Sequence, residues 1–172
     1  ISRSLTHELV RHRAGFAFSQ RSQRYVDESE GDFVIPPALS RDKENSKEAR
    51  KILSEALNQA SGSYKKLVAE LEQTLSKDLF DLATDRRKAI RQAARSVLPN
   101  ATETKIFITA NVRALRHFIE MRSAIYADWE IRFLAIEILK ILQTESPLLF
   151  GDFTIEDLPD GTQISEPLYS KV

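Results

Sequence analysis

No cysteine occurs among the 172 residues. That removes disulfides, thiolate-bound zinc, iron–sulfur clusters and any cysteine nucleophile from the functions open to the chain. Methionine and tryptophan occur once each, and histidine only as His7, His12 and His117. Three scattered histidines make a poor metal site, so no metal is expected. No apolar run reaches the ~18 residues that crossing a bilayer requires, so no membrane partner is expected either. No secretory leader is visible, which makes the cytoplasm the expected compartment. An excess of one charge is also missing: 25 lysines and arginines face 25 aspartates and glutamates. That balance counts against a dedicated nucleic-acid binder.

What is present describes a folded chain of about one domain's length. Apolar residues make up 42% and charged residues 29%, enough apolar material to build a core. The first residues, Ile1 to Val10, read as a helix already under way, with Leu5, Leu9 and Val10 on one side. This suggests an N-terminally truncated chain. The helix should cover about 4–13, capped by Ser4 or Thr6. Residues 14–39 should be irregular or part-extended, and Pro36-Pro37 should forbid helix there. Apolar residues then recur at spacings of three and four from Ala49 through Leu57 and Tyr64 to Leu75, which predicts a long amphipathic helix. Asn45 and Glu48 resemble a capping box at its start.

A second helix is expected over about 79–96, stopped by Pro99-Asn100. A short buried strand should lie at 104–109, and a helix at 111–122. The stretch 127–143 is apolar on more than one side, so it should be central in the domain or covered by another subunit. Pro159-Asp160-Gly161 predicts a hairpin between 153–158 and 162–165. The expected fold is therefore α+β: one helix-rich domain over residues 1–172 with a small β-sheet.

The neutral total conceals local bias. Residues 1–25 hold Arg3, Arg11, Arg13, Arg21 and Arg24 against Glu8 alone. Arg86, Arg87, Lys88, Arg91 and Arg95 follow one another with no acid from 86 to 95, and Arg87, Arg91 and Arg95 share a helix face. Arg113, Arg116, His117 and Arg122 form a third group. Arginine's planar fork grips phosphate and flat heteroaromatic edges in two places, which points to an anionic ligand such as a nucleotide. The competing account is a solvated face or intramolecular ion pairs. For His12 and His117 it is an ordinary surface or half-buried histidine.

Several ordered motifs carry a resemblance. Arg11-His12-Arg13 precedes Ser19-Gln20-Arg21-Ser22-Gln23-Arg24-Tyr25-Val26. Then come Pro36-Pro37, the stretch Arg91-Gln92-Ala93-Ala94-Arg95 to Thr104, Asn111 to Phe118, Met121-Arg122 and Ala127-Asp128-Trp129-Glu130-Ile131-Arg132. In this order, over nearly the whole chain, they resemble the flavin-dependent thymidylate synthases. The resemblance implies reductive methylation of dUMP to dTMP, with methylenetetrahydrofolate as carbon donor and NADPH-reduced FAD as hydride source. The absence of cysteine agrees, because the unrelated thymidylate synthase attacks uracil with a thiolate.

Carried over, the resemblance assigns Arg11, His12, Arg13, Gln20, Asn111, Arg113 and His117 to FAD. It assigns Glu8, Arg11, Gln20, Arg21, Ser22, Gln23, Arg24, Arg95 and Arg122 to dUMP, with Arg122 as the catalytic residue. A cation ~4 Å from charge forming on the uracil ring contributes on the order of 4 kcal/mol at an effective dielectric of ~20. That lowers a ring pKa by roughly 3 units. The resemblance also implies a homotetramer with sites shared between subunits. Two other readings stand beside it: an inactive folded core or oligomerisation fragment of that enzyme, and an arginine-rich helical module binding nucleic acid through residues 1–25 and 86–95.

Overall fold

The computed structural model describes residues 1–41 and 44–170. Its helices are α1 (Arg3–Leu9), α2 (Pro37–Arg41), α3 (Lys47–Thr74), α4 (Ala83–Ala94), α5 (Val112–Arg122), α6 (Trp129–Glu145) and α7 (Pro147–Phe150). Its strands are β1 (Phe16–Gln20), β2 (Ile106–Ala110), β3 (Phe153–Asp157) and β4 (Gln163–Pro167). The chain is thus helix-rich α+β. It divides into two compact units, each made of two stretches: Ile1–Ser4 with Gln20–Ile106, and Leu5–Ser19 with Phe107–Val172. No helix among the described residues is long and apolar enough to cross a membrane.

The first unit is built on α3 and α4. Tyr64, Leu57, Ile90 and Ala94 are buried. Most of the long apolar stripe on α3 is only half-buried, and Ile52 is exposed. The helix starts at Lys47 with Ser46 as its N-cap residue and no side-chain cap, so the expected Asn45–Glu48 box does not form. Ser46 instead donates its hydroxyl to the Leu39 carbonyl at 3.0 Å. Pro36-Pro37 does not exclude helix: Pro37 opens α2, where a proline's missing N–H lacks an intrahelical partner anyway. The helix expected at 79–96 is interrupted. A 3-10 turn at Lys77–Leu79 ends before α4, and Arg95–Val97 closes as a second 3-10 turn. At the chain start, Ser4 and Thr6 lie inside α1 rather than capping it, and α1 ends at Leu9.

The second unit is centred on α6, whose Ile131, Ala135, Ile136 and Leu139 are buried together with Leu9, Phe118, Ile119, Phe150 and Phe153. Asp128 caps α6 by accepting from Glu130 N at 2.9 Å. Its opposite side carries Phe133 and Ile141, 67% and 62% exposed. The apolar excess read in 127–143 is therefore real but points outward in this chain. The predicted terminal hairpin is present: β3 and β4 pair antiparallel with Ile155 opposite Ser165. Their turn uses Gly161 at φ +74°, the left-handed region that glycine adopts without penalty.

Strand β1 pairs with β2. Gly15 O accepts from Asn111 N at one end and Lys105 O accepts from Arg21 N at the other, so the strands run antiparallel. β1 falls in the stretch read only as part-extended. Its alternation of Phe16, Phe18 and Gln20 with small residues is the period-two signal that marks it. β2 is not the fully buried strand expected. Its exposure alternates, and Phe107 is 84% exposed.

Candidate functional site

In the second unit the segment after α1 turns sharply into β1. Gly15 sits at φ +76°, and a Cβ there would lie 2.5 Å from Asn111 Nδ2 and 2.9 Å from Ala114 Cβ. Only glycine lets the turn come this close to the start of α5. Asn111 caps that helix, its Oδ1 accepting from Ala114 N at 2.9 Å. The turn carries His12, and the far end of α5 carries Arg122. Arg122 Nε donates to His12 Nε2 at 2.8 Å, and Arg122 Nη1 donates to Glu8 Oε2 at 2.9 Å. Glu8, His12 and Arg122 are all half-buried, so the group is ordered yet open to a ligand.

Aromatic rings enclose His12. Its ring centroid lies 5.1 Å from Phe118, 5.8 Å from Phe16 and 6.2 Å from His117. Burial, then the Arg122 cation, then His117 hold the His12 pKa down to about 4, so the imidazole is neutral at physiological pH. Beside it a cleft of about 420 Å³ is lined by Leu9, Phe16, Ile108, Leu115, Phe118 and Ile138. Arg13 and Arg113 are exposed, with no side-chain hydrogen bond or ion pair among the described residues. Arg11 is exposed and donates Nε to the His7 carbonyl at 3.2 Å. His117, one helical turn beyond Arg113, is exposed.

The first unit holds the other candidates. Gln20 donates Nε2 to Thr104 Oγ1 at 3.3 Å. Arg21 Nη2 reaches both Glu28 oxygens, at 3.5 and 3.3 Å. Glu28 is almost wholly buried, its backbone N donating to Tyr64 Oη at 3.3 Å. Burial raises the Glu28 carboxyl pKa, against the pull of Arg21 and Arg3. Ser22 Oγ accepts from Arg24 N at 3.4 Å, in a turn where Ser22 O also accepts from Tyr25 N and Val26 N. Gln23 is buried and Arg24 is exposed. Arg95, on the 3-10 turn after α4, is half-buried. The side chains of Arg24 and Arg95 make no hydrogen bond or ion pair among the described residues.

The structure sorts the arginine clusters. Arg86 donates to the carbonyls of Leu75 and Glu72, and Arg91 donates to the Tyr25 carbonyl and pairs with Asp27. Arg116 forms a two-pronged pair with Asp152 at 2.6 and 2.7 Å and lies over the Phe153 ring. These are tied to the fold, as the intramolecular account anticipated. Arg13, Arg24, Arg95 and Arg113 are not, and exposed Arg87 joins them. Sequence reasoning missed the roles of Phe16 and Phe118 beside His12, and of Glu28 beneath Arg21. The period-two pattern at 16–20 could have found Phe16. The other two depend on contacts distant in sequence.

A family model described as thymidylate synthase complementing protein matches residues 1–148. The chain belongs to this family. It is 50% identical over 165 residues to the flavin-dependent thymidylate synthase of Mycobacterium tuberculosis (strain H37Rv), covering 96% of this chain and 63% of that protein. The protein of the same name from Mycobacterium avium (strain 104) matches to the same extent. That of Mycolicibacterium vanbaalenii is 49% identical over 173 residues, covering all of this chain and 66% of the relative. The chain thus spans somewhat under two thirds of the length of these curated relatives.

Proposed function

We propose that this chain belongs to a flavin-dependent thymidylate synthase that reductively methylates dUMP to dTMP. Methylenetetrahydrofolate supplies the carbon, NADPH the electrons and FAD the hydride relay. The observation that carries this reading is a set of unpaired arginines at assigned positions. Arg13, Arg24, Arg95 and Arg113, which the family resemblance assigns to ligands, have no side-chain partner among the described residues, while the assigned Arg11, Arg21 and Arg122 are held by a carbonyl or an acid. Arg86, Arg91 and Arg116, which it does not assign, are held by carbonyls and carboxylates. A guanidinium with no protein partner can offer its whole fork to a phosphate.

The residues fit a flavin by their chemistry. Arg11, Arg13 and Arg113 offer cationic forks for a pyrophosphate. Phe16, Phe118 and His12 supply flat, weakly polar surfaces beside an apolar cleft, and neutral His12 adds no charge there. When bound, reduced flavin supplies the hydride that converts the transferred one-carbon unit to a methyl group. The protein's own part is orientation and charge. In the first unit Arg24 and Arg95 are the phosphate candidates for dUMP, with Ser22 as a hydroxyl donor. The resemblance assigns Arg122 to the uracil, where a guanidinium would stabilise negative charge on the N3/O side as the ring becomes nucleophilic. Gln20, Arg21, Gln23 and Glu8 complete the nucleotide set, and Asn111 and His117 the flavin set.

In the homotetramer that the resemblance implies, a second copy would cover the exposed Phe133 and Ile141 of α6. The same reading places the protein in the cytoplasm, where its nucleotide and folate are met. The deciding experiment measures flavin content and turnover of the purified protein. Near-stoichiometric FAD absorbance, and dTMP formed from dUMP, methylenetetrahydrofolate and NADPH, are expected. Protein that stays colourless after incubation with FAD and forms no dTMP overturns the reading.

A further inference from the structure

Arg122 is not a freely swinging side chain. Two of its three nitrogens are bonded, Nε to His12 and Nη1 to Glu8, while Nη2 has no partner among the described residues. A guanidinium has no acceptor and keeps its protons, so His12 Nε2 must accept, and the neutral ring must carry its hydrogen on Nδ1. The rings of Phe16 and Phe118, tilted and perpendicular to it, pack against the imidazole. Glu8 is set by α1, whose Leu5 and Leu9 are buried on either side of it in sequence. We propose that Glu8 and His12 are positioning residues for Arg122, fixing the plane of its guanidinium and leaving Nη2 as the donor presented to a ligand. This rests on the reading that Arg122 works on the uracil ring.

The physical case is preorganisation. An arginine with many rotamers must be ordered when its ligand binds, whereas one held at two nitrogens is ordered during folding. A carboxylate alone would hold the cation but leave its plane free to turn about the contact. The second anchor, from a ring that packing holds in place, removes that freedom. A protonated His12 could not serve, because it would donate rather than accept and would set two cations 2.8 Å apart. The groups bearing on its charge are Arg122, His117 and, through Arg122, Glu8.

The test begins without turnover. Nitrogen-15 NMR of the whole chain has three imidazoles to assign. His12 should show the Nδ1–H tautomer and titrate near pH 4, and in Arg122→Gln its pKa should rise toward the ordinary histidine value. A wild-type His12 bearing its hydrogen on Nε2, or titrating near 6.5, overturns the proposal.

Turnover supplies the second arm. Glu8→Ala and His12→Phe should each lower kcat at least about tenfold at saturating dUMP and saturating added FAD, in protein of near-normal melting temperature. His12→Gln, whose amide oxygen can accept from Arg122 Nε, should recover part of the kcat that His12→Phe loses, and Glu8→Gln part of that lost in Glu8→Ala. Full kcat in Glu8→Ala and His12→Phe, or losses confined to KM or flavin binding, overturn the proposal. Wild-type turnover in Arg122→Gln instead removes Arg122 from the chemistry, a failure of the functional reading that the NMR result distinguishes.

Discussion

Two arginine–glutamate pairs are built in opposite ways. In the first unit Arg21 meets a Glu28 whose side chain is 1% exposed, across 3.3 Å, and the buried Arg21 Nε has no partner among the described residues. In the second unit Arg122 meets a Glu8 that is 38% exposed, across 2.9 Å, and Arg122 Nε is satisfied by His12. The first pair sinks a carboxylate into the interior and raises its pKa, which makes it a fixture whose loss the fold must feel. The second keeps its acid in reach of water, so little stability depends on it, yet with His12 it holds the Arg122 guanidinium at two nitrogens. Chemically similar pairs thus differ in the burial of the acid and in the satisfaction of the arginine.

The contrast is broken most sharply at Arg122. Arg122→Ala should lower turnover by on the order of 10³, the equivalent of roughly 4 kcal/mol of transition-state charge stabilisation. Its melting temperature should stay within a few degrees of wild type, as calorimetry beside steady-state kinetics would check. Near-normal kcat would erase the functional side of the comparison.

Arg21→Ala should act on stability, whatever it does to dUMP binding, costing about 2–3 kcal/mol because it strands the Glu28 carboxylate. For a chain of this length that is roughly 5–10 °C in Tm. The sign of its pH dependence follows from the raised Glu28 pKa. Folding favours the protonated acid, a contribution present below the ordinary carboxylate value near pH 4 and lost as pH rises through the raised one. Without Arg21 that loss is steeper. The Tm gap between wild type and variant should therefore widen as pH rises from about 4, and a gap that narrows would show that Glu28 is not the group involved.

Arg116–Asp152 is an intermediate case, short and two-pronged, with Asp152 held below the usual carboxylate range chiefly by its hydrogen bonds from Arg116. Asp152→Asn should cost about 1 kcal/mol at pH 7. The depressed pKa gives the opposite sign: the contribution is present above about pH 4 and lost as pH falls through the lowered value, so variant and wild type should converge in acid melts. Gly62→Ala sets the scale for a change without charge. A Cβ there meets nothing within 4 Å, so the variant should gain about 0.5–1 kcal/mol of helix stability and leave turnover unchanged.

Much of this was legible in the residues. Period-3.6 patterning located α3, α5 and α6, and Pro159-Asp160-Gly161 marked the terminal hairpin, because local backbone preference and amphipathicity are written into neighbouring positions. Boundaries were less legible. Pro37 begins a helix that its identity seemed to forbid, and the break at Phe80–Leu82 carries no proline or glycine to announce it. Motif order, too, was readable without coordinates, and the resemblance it carried placed Glu8 and Arg122 with the nucleotide and His12 with the flavin.

Which arginines are spent on the fold was not readable. Arg91 and Arg95 share a helix face and a composition, yet one is bound to the Tyr25 carbonyl and Asp27 and the other is not. The sequence alone determined α3, α5, α6 and the hairpin, since these follow from spacing along the chain, and its motifs carried the family resemblance. Only the tertiary structure decided that His12 accepts from Arg122 across 110 positions, that Glu28 is buried and that Phe107 is not. Charge pairing and burial depend on distances between residues far apart in the chain, which no local pattern encodes.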